Sequence, residues 1–246
     1  MQRYLYGQLE RTEAAYWWFV GQRFLLSRFL RKQYGAQRSL KLLDVGCGTG
    51  KNLEVLRQWG TAVGADISSD AIEFCRRRGF TIRKSDVMSL KFPDNAFDVV
   101  TSLGVFYHRN VTDDVRGFRE IHRVLKPSGR FFFLDCATKA LYGKHDLAFD
   151  GIRRYERKEL KAKLESAGFA VEKISYINTL LFPAIFLYRK LDGLRSTRPE
   201  SNVQEKISPL VNALLTFLYK TELRGVSYVS YPFGVNIFAV ARKRQN

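Results

Sequence analysis

Apolar residues fall into short runs separated by polar, glycine or proline breaks, and these runs alternate with stretches of helical period. Leu40 to Val45 is apolar apart from Lys41 and Asp44, which predicts a buried strand, and Asn52 to Trp59 predicts the helix after it. Ala62 to Asp66 is the next strand. Ser68 or Ser69 caps a helix from Asp70 to Arg78 that Gly79 closes, and Phe80 to Arg83 is a short third strand. Pro93-Asp94-Asn95 marks a turn before a fourth strand, Ala96 to Ser102. A helix starting at Thr112 or Asp113 runs to about Leu125. A turn at Lys126 to Gly129 leads into a fifth strand, Arg130 to Asp135. Glu156 to Ala167 has helical character, Phe169 to Tyr176 alternates as a sixth strand, and Val235 to Ala241 is the last. Strands alternating with helices predict an α/β fold around a mostly parallel sheet.

Two stretches fall outside that alternation. Residues 10 to 32 predict one helix, with Thr12 as cap, Glu13 in its first turn, and Trp17, Val20 and Phe24 on one face. Tyr16-Trp17-Trp18-Phe19 is denser in aromatics than one buried stripe needs. Trp17 and Trp18 are therefore candidates for a flap over a ligand mouth, against the plainer reading of packing on the domain edge. Residues 178 to 230 exceed a hairpin loop. Leu180 to Leu187 is apolar with Pro183 inside it, residues 195 to 203 are polar, and positions 211, 214, 215 and 218 are apolar at helical spacing. This predicts a helical insertion, read as a cap over an acceptor pocket, a dimer surface or an interfacial membrane element. The division is a helical extension at 1–36, a main domain at 37–177 and 231–246, and an insertion at 178–230.

Composition narrows the partners. The 246 residues suffice for one substantial core. A formal net charge of +17 favours anionic surroundings: nucleic acid, an acidic substrate or an anionic membrane face. Cys47, Cys75 and Cys136 show no C-x-x-C spacing, so no metal site is expected and a reduced compartment is. The start has no signal-peptide core and no run is long enough to span a bilayer. The expected location is cytoplasmic, with peripheral membrane contact as a variant.

The chemistry concentrates at Leu43-Asp44-Val45-Gly46-Cys47-Gly48-Thr49-Gly50. Strand, glycine turn, helix is the order of a nucleotide-binding unit. The spacing is G-x-G-x-G, not the dinucleotide G-x-G-x-x-G, and no Gly-Lys-Ser/Thr of a P-loop follows. Asp44 at the turn would repel a pyrophosphate and suit an ammonium group. Asp66, 20 residues after Gly46, is placed to take ribose hydroxyls. A ribose, a positive charge and no phosphate describe S-adenosylmethionine.

At these residues the sequence resembles the class I S-adenosylmethionine-dependent methyltransferases, in register over residues 40 to 136. The resemblance implies a Rossmann-like seven-stranded, mostly parallel sheet with an antiparallel last strand. It implies a cofactor site at Asp44, Gly46, Cys47, Gly48, Gly50, Asp66, Ile67, Asp86, Val87 and Leu103, with Asp86 toward the adenine amino group. Trp17-Trp18-Phe19, Arg153-Arg154-Tyr155 and Pro232-Phe233-Gly234 are similar to signatures of a narrower bacterial and archaeal group, close to methyltransferase type 11. Members of that group often carry His where this chain has Gly151, so any such role is absent or has moved to His145 or His108.

A sulfonium is already an activated methyl donor, so alignment and water exclusion carry much of the work. A base is needed only where the acceptor must lose a proton. His108, with Tyr107 beside it, is the candidate base. Arg153, Arg154 and Tyr155 are candidates to clamp an anionic acceptor, and Trp17 and Trp18 to wall the acceptor pocket. A small or lipophilic acceptor is the first reading and RNA the second. Residues Ser102-Leu103-Gly104-Val105 lack the Asn-Pro-Pro-Tyr type of tetrapeptide used by nucleic-acid amino-methylating enzymes. A catalytically silent cofactor-binding scaffold is the third reading.

Overall fold

The structure, a computed structural model, describes residues 3–195 and 207–244. In chain order the elements are α1 (Arg3–Thr12), α2 (Trp17–Tyr34), β1 (Leu40–Val45), α3 (Lys51–Leu56), β2 (Gly60–Asp66), α4 (Ser69–Arg77), β3 (Thr81–Lys84) and β4 (Phe97–Leu103). There follow α5 (Asp114–Val124), β5 (Leu125–Cys136), α6 (Lys144–Ala148), α7 (Arg157–Ser166), β6 (Phe169–Ile177), α8 (Phe182–Arg195), α9 (Pro209–Gly225) and β7 (Asn236–Lys243).

The seven strands form one sheet in the order β3-β2-β1-β4-β5-β7-β6. β7 runs antiparallel to both its neighbours, and the other pairings are parallel. The strand order reverses between β1 and β4, which opens a crevice at their carboxyl ends. Both faces are covered, so the strands are apolar on both sides. Phe131 and Phe133 of β5 meet Phe106 and Phe118 on one face. Phe132 meets Phe29 of α2 and Phe238 of β7 on the other.

The expected single helix at 10–32 is two helices. Thr12 ends α1, where it had been expected to cap the start of the longer helix, and Tyr16 is the residue before α2. The break turns Glu13 inward, where its carboxylate accepts a hydrogen bond from Thr49 Oγ1 of the glycine loop and pairs with Arg78 at 3.1 Å. Arg23 holds the turn by donating to the Glu13 carbonyl. These bonds replace the helical ones lost at the break.

β5 starts five residues earlier than expected, at Leu125, because the expected turn is a bulge: β4 pairs Phe97 with Leu125, then Val99 with Arg130. The stretch 137–155 holds α6 and the buried Asp146, Arg154 and Tyr155. The insertion is helical, as α8 and α9, and most of the polar stretch expected at 195–203 lies outside the described residues.

α9 packs on α2. Tyr219 sits against Gly21, where a Cβ would collide with its ring, and meets Trp17 edge-on at 5.4 Å. α2 of the extension and α9 of the insertion thus form one layer on the sheet face that carries Leu42, Val99 and Phe132. Among the described residues no helix is long and apolar enough to cross a membrane.

Candidate active site

A cavity of about 940 Å³ opens at the carboxyl ends of β1, β2 and β4 and continues past the end of β5 to α8. At one end its wall is the glycine loop, with Gly46, Cys47 and Gly48, then Asp66, Ile67, Ser85, Asp86, Val87 and Leu103. Trp17 and Trp18 wall it from α2, and Tyr107 and His108 from the segment after β4.

The three glycines have different reasons to be glycine. All have positive φ: 70° at Gly46, 54° at Gly48 and 87° at Gly50. A Cβ on Gly46 would strike the Val105 side chain, and one on Gly50 would stand 2.9 Å from Cys75 Sγ. Those two are set by packing. A Cβ on Gly48 would meet nothing nearer than Leu9 at 3.9 Å, so Gly48 presents bare backbone to the cavity. Gly50 does not line it.

Asp66 ends β2 with its carboxylate oriented by two backbone donors, Ser68 N–H at 2.9 Å and Gly48 N–H at 3.0 Å. Burial pushes its pKa up against those bonds. Asp44, expected at the mouth of the turn, lies behind the wall. Its Oδ1 accepts from Thr101 Oγ1 at 2.5 Å, Asn52 bonds it from α3, and the buried Oδ2 has no partner. Burial raises its pKa to about 7. Asn52 lines the cavity, whereas Asp44 does not. Asp86 Oδ1 accepts the Met88 amide at 2.8 Å, which fixes the carboxylate's orientation on the wall.

Beyond the glycine loop, Tyr107 packs over Gly151, where an added Cβ would stand 2.8 Å from its ring. Gly151 bridges by backbone to His108, so His108 stands directly opposite the residue at which the sequence resemblance implied a His. Burial lowers the His108 pKa. Its Nδ1 accepts the Asn110 amide at 3.2 Å, which assigns the proton of the neutral ring to Nε2. A base role would require that bond to be given up. The Tyr107 hydroxyl is pushed well up by burial and the nearby acidic groups, so it stays a donor.

Of the expected anion clamp, only Arg154 reaches the cavity. Arg153 turns back to the Phe106 and Val111 carbonyls at 2.9 and 2.6 Å. Tyr155 is fully buried, its hydroxyl donating to Asp114 at 2.9 Å, because it fills the core under β5 beside Phe133. Both are corrections to the expectation. Trp17 and Trp18 serve packing and cavity at once: Trp17 is buried against Tyr219, and Trp18 Nε1 donates to Asn236 Oδ1 at 3.4 Å. The sequence did not single out Arg189, Asn178, Asn236 or Asp146. They come from segments far apart in the chain and carry no motif.

The family described as Methyltransferase domain matches residues 43–133. The chain carries a class I S-adenosylmethionine-dependent methyltransferase domain. The cofactor that such a domain implies is S-adenosylmethionine. The residues present fit that cofactor: Gly48 offers backbone, Asp66 an oriented carboxylate, and Asp44 an unpartnered buried oxygen behind the wall.

Similar proteins match this chain over part of their length. Sterol 24-C-methyltransferase of Yarrowia lipolytica is 32% identical over 58% of this chain and 43% of its own. Demethylmenaquinone methyltransferase of Symbiobacterium thermophilum is 40% identical over 39% of this chain and 42% of its own. Probable tRNA methyltransferase 9B of Mus musculus is 39% identical over 35% and 20%. The chain thus spans less than half the length of these relatives. The methyltransferase sheet and helices are also those of phosphoethanolamine N-methyltransferase 2 of Haemonchus contortus in complex with S-adenosyl-L-methionine. That structure has a TM-score of 0.59 and 18% identity, over 89% of this chain and 52% of that one.

Proposed function

We propose that this protein transfers the methyl group of S-adenosylmethionine to a small, lipophilic acceptor held in the same cavity as the cofactor. One observation carries the reading: the glycine-loop wall and an aromatic and apolar wall, with Trp17, Trp18, Phe149 and Ile185, belong to one continuous cavity. Two of the relatives named above act, by their names, on a sterol and on demethylmenaquinone.

When bound, the cofactor supplies an electrophilic methyl group. The chain's part is positioning. Gly48 lets the cofactor lie against the loop, and Asp66 takes the ribose hydroxyls on oxygens already oriented by Gly48 and Ser68. Asp44 favours the ammonium group through Asn52 and through its field. Asp86 receives the adenine amino group, while Gly46, Cys47, Ile67, Val87 and Leu103 shape the slot and Gly50 holds the loop against α4. Trp17 and Trp18 exclude water from the acceptor side. Tyr107 orients the acceptor as a hydrogen-bond donor, and His108 serves as base where the acceptor ionises.

The exposed stripe Leu210, Leu214 and Phe217 on α9, with Leu187 and Leu191 on α8, supports a peripheral approach to an anionic membrane for a lipophilic acceptor. Sedimentation with anionic vesicles at low salt tests that approach, and no binding would end it.

The test of the main reading is methyl transfer from labelled S-adenosylmethionine into a total lipid extract and into total RNA. Label in the lipid fraction that vanishes with Asp66→Ala supports it. RNA labelling instead, with binding that falls steeply as salt rises, supports the second reading, which the +17 charge and the tRNA methyltransferase relative favour. Cofactor binding with no transfer to either would leave the scaffold reading.

A further inference from the structure

The cavity ends, away from the glycine loop, in a cluster of buried charges. Arg154 is 3% exposed. Its Nη1 donates to the Ala137 carbonyl at 2.6 Å, its Nη2 stands 2.9 Å from Asp146, and its buried Nε has no partner. Arg189 reaches the same carboxylate from α8 at 3.4 Å and donates to the Leu141 carbonyl at 2.9 Å. Asp146, 1% exposed, also accepts the Gly143 amide at 3.0 Å. His145, on the same wall, is held neutral by burial and by the two guanidiniums.

Two guanidiniums therefore share one carboxylate in a place largely closed to water. The next carboxylate along the wall, Asp135, is occupied by the amides of Cys136, Phe106 and Tyr107 at 2.7, 2.8 and 3.2 Å. A buried cation without its own counter-charge is costly, and an anionic ligand removes that cost. Guanidinium groups match oxyanions in shape as well as charge.

The surroundings give the rest of the ligand. Ile185 precedes Arg189 by one turn of α8, so an apolar side chain and a guanidinium follow each other along the cavity. Trp18 is close by, tied to Asn236 beside the Val235 carbonyl that Arg154 also approaches.

We propose that the methyl acceptor is amphipathic, with an apolar body along Ile185 and Trp18 and an oxyanion of the carboxylate or phosphate class seated on Arg189 and Arg154. This rests on the methyltransferase reading, since it places the acceptor in the cofactor's cavity. Arg189 is the specificity-determining residue: it comes from the insertion and its side chain is partly exposed to the cavity, whereas Arg154 is buried and donates to the Ala137 and Val235 carbonyls.

The test is calorimetry on the full chain preloaded with S-adenosylhomocysteine. Octanoate, octyl phosphate and octanol are the probes, on wild type, Arg189→Gln and Arg189→Lys. The expected result is at least about tenfold tighter binding of one or both anions than of octanol. Which anion binds tighter separates the two oxyanion classes. Arg189→Gln should erase that preference, Arg189→Lys should keep part of it, and affinity for S-adenosylhomocysteine should stay within about twofold in both. Equal binding of anion and alcohol by wild type, no saturable binding of any probe, or a preference that survives Arg189→Gln would overturn it. The preloading titration reads the cofactor site separately, so loss of that binding would count against the methyltransferase reading and not against the oxyanion site.

Discussion

Asn212 caps a helix that lies 195 residues before it: its Oδ1 accepts the Trp17 amide at 2.9 Å, and its Nδ2 donates to the Ala15 carbonyl at 2.9 Å. α2 has no cap of its own, because Tyr16 stands where a Ser, Thr, Asp or Asn would serve. The insertion thus supplies what the extension lacks. Asn212→Ala should cost about 1 kcal/mol, within a range of roughly 0.5–2. It should also loosen S-adenosylhomocysteine binding, since α1 and α2 wall the cavity. A urea midpoint and an affinity both equal to wild type would show that the cap is not what couples the two segments.

Gly46 and Gly48 should respond differently to alanine. Both pay for positive φ, but Gly46→Ala also drives a Cβ into Val105, and overpacking costs about 1–3 kcal/mol. Gly46→Ala should therefore be the less stable protein, and adding Val105→Ala should recover part of the loss. Gly48→Ala should lose only the cost of positive φ, about 1 kcal/mol, yet bind cofactor more weakly. Denaturation curves and titrations of the four proteins check this, and equal stability of the two single variants would refute the packing account of Gly46.

The buried Asp44 makes stability depend on pH in a defined direction. An aspartate in the unfolded chain ionises near 3.8, whereas here burial holds it protonated to about 7. Between those values the native state binds more protons, so the contribution is full below about pH 4 and is lost as pH rises through about 7. The whole term is at most about 4 kcal/mol. Asp44→Asn should gain stability over wild type at pH 8 and little at pH 4. A difference that does not change between these pH values would contradict it.

The same carboxylate should make cofactor affinity rise with pH. An ammonium group near Asp44 favours its ionised form, so binding releases a proton. Affinity for S-adenosylhomocysteine should increase between pH 5.5 and 7.5 in wild type and stay flatter in Asp44→Asn. Calorimetry in two buffers of different ionisation enthalpy measures the released proton directly, and its absence from wild type would separate Asp44 from the ligand.

Asp146 should be among the costliest residues to neutralise. Asp146→Asn leaves Arg154 and Arg189 without their shared counter-charge, and breaking such a buried pair costs about 3–5 kcal/mol. Asp146→Asn with Arg154→Met should be more stable than Asp146→Asn alone, though short of wild type because the Ala137 carbonyl loses its donor. Thermal melts of the two variants decide it, and a double variant less stable than the single one would refute the charge account.

The sequence by itself determined the elements and the cofactor end of the site. Strand runs, the glycine turn and Asp66 are local patterns, and their meaning follows from backbone geometry within about thirty residues. The cap expected at Thr12 failed because the chain breaks there and turns Glu13 in to Thr49 and Arg78, which lie on other elements. Tertiary structure alone decided the end of the cavity away from the glycine loop. Arg154 stood out in sequence only as one of a basic pair, and Asp146, Arg189 and Asn236 not at all; only folding brings the four onto one buried wall where their charges must be matched. It also sorted Arg153-Arg154-Tyr155: one residue went to the cavity, one to backbone carbonyls and one to the core. Adjacent side chains in an extended segment point in different directions, and the packing around each sets its role.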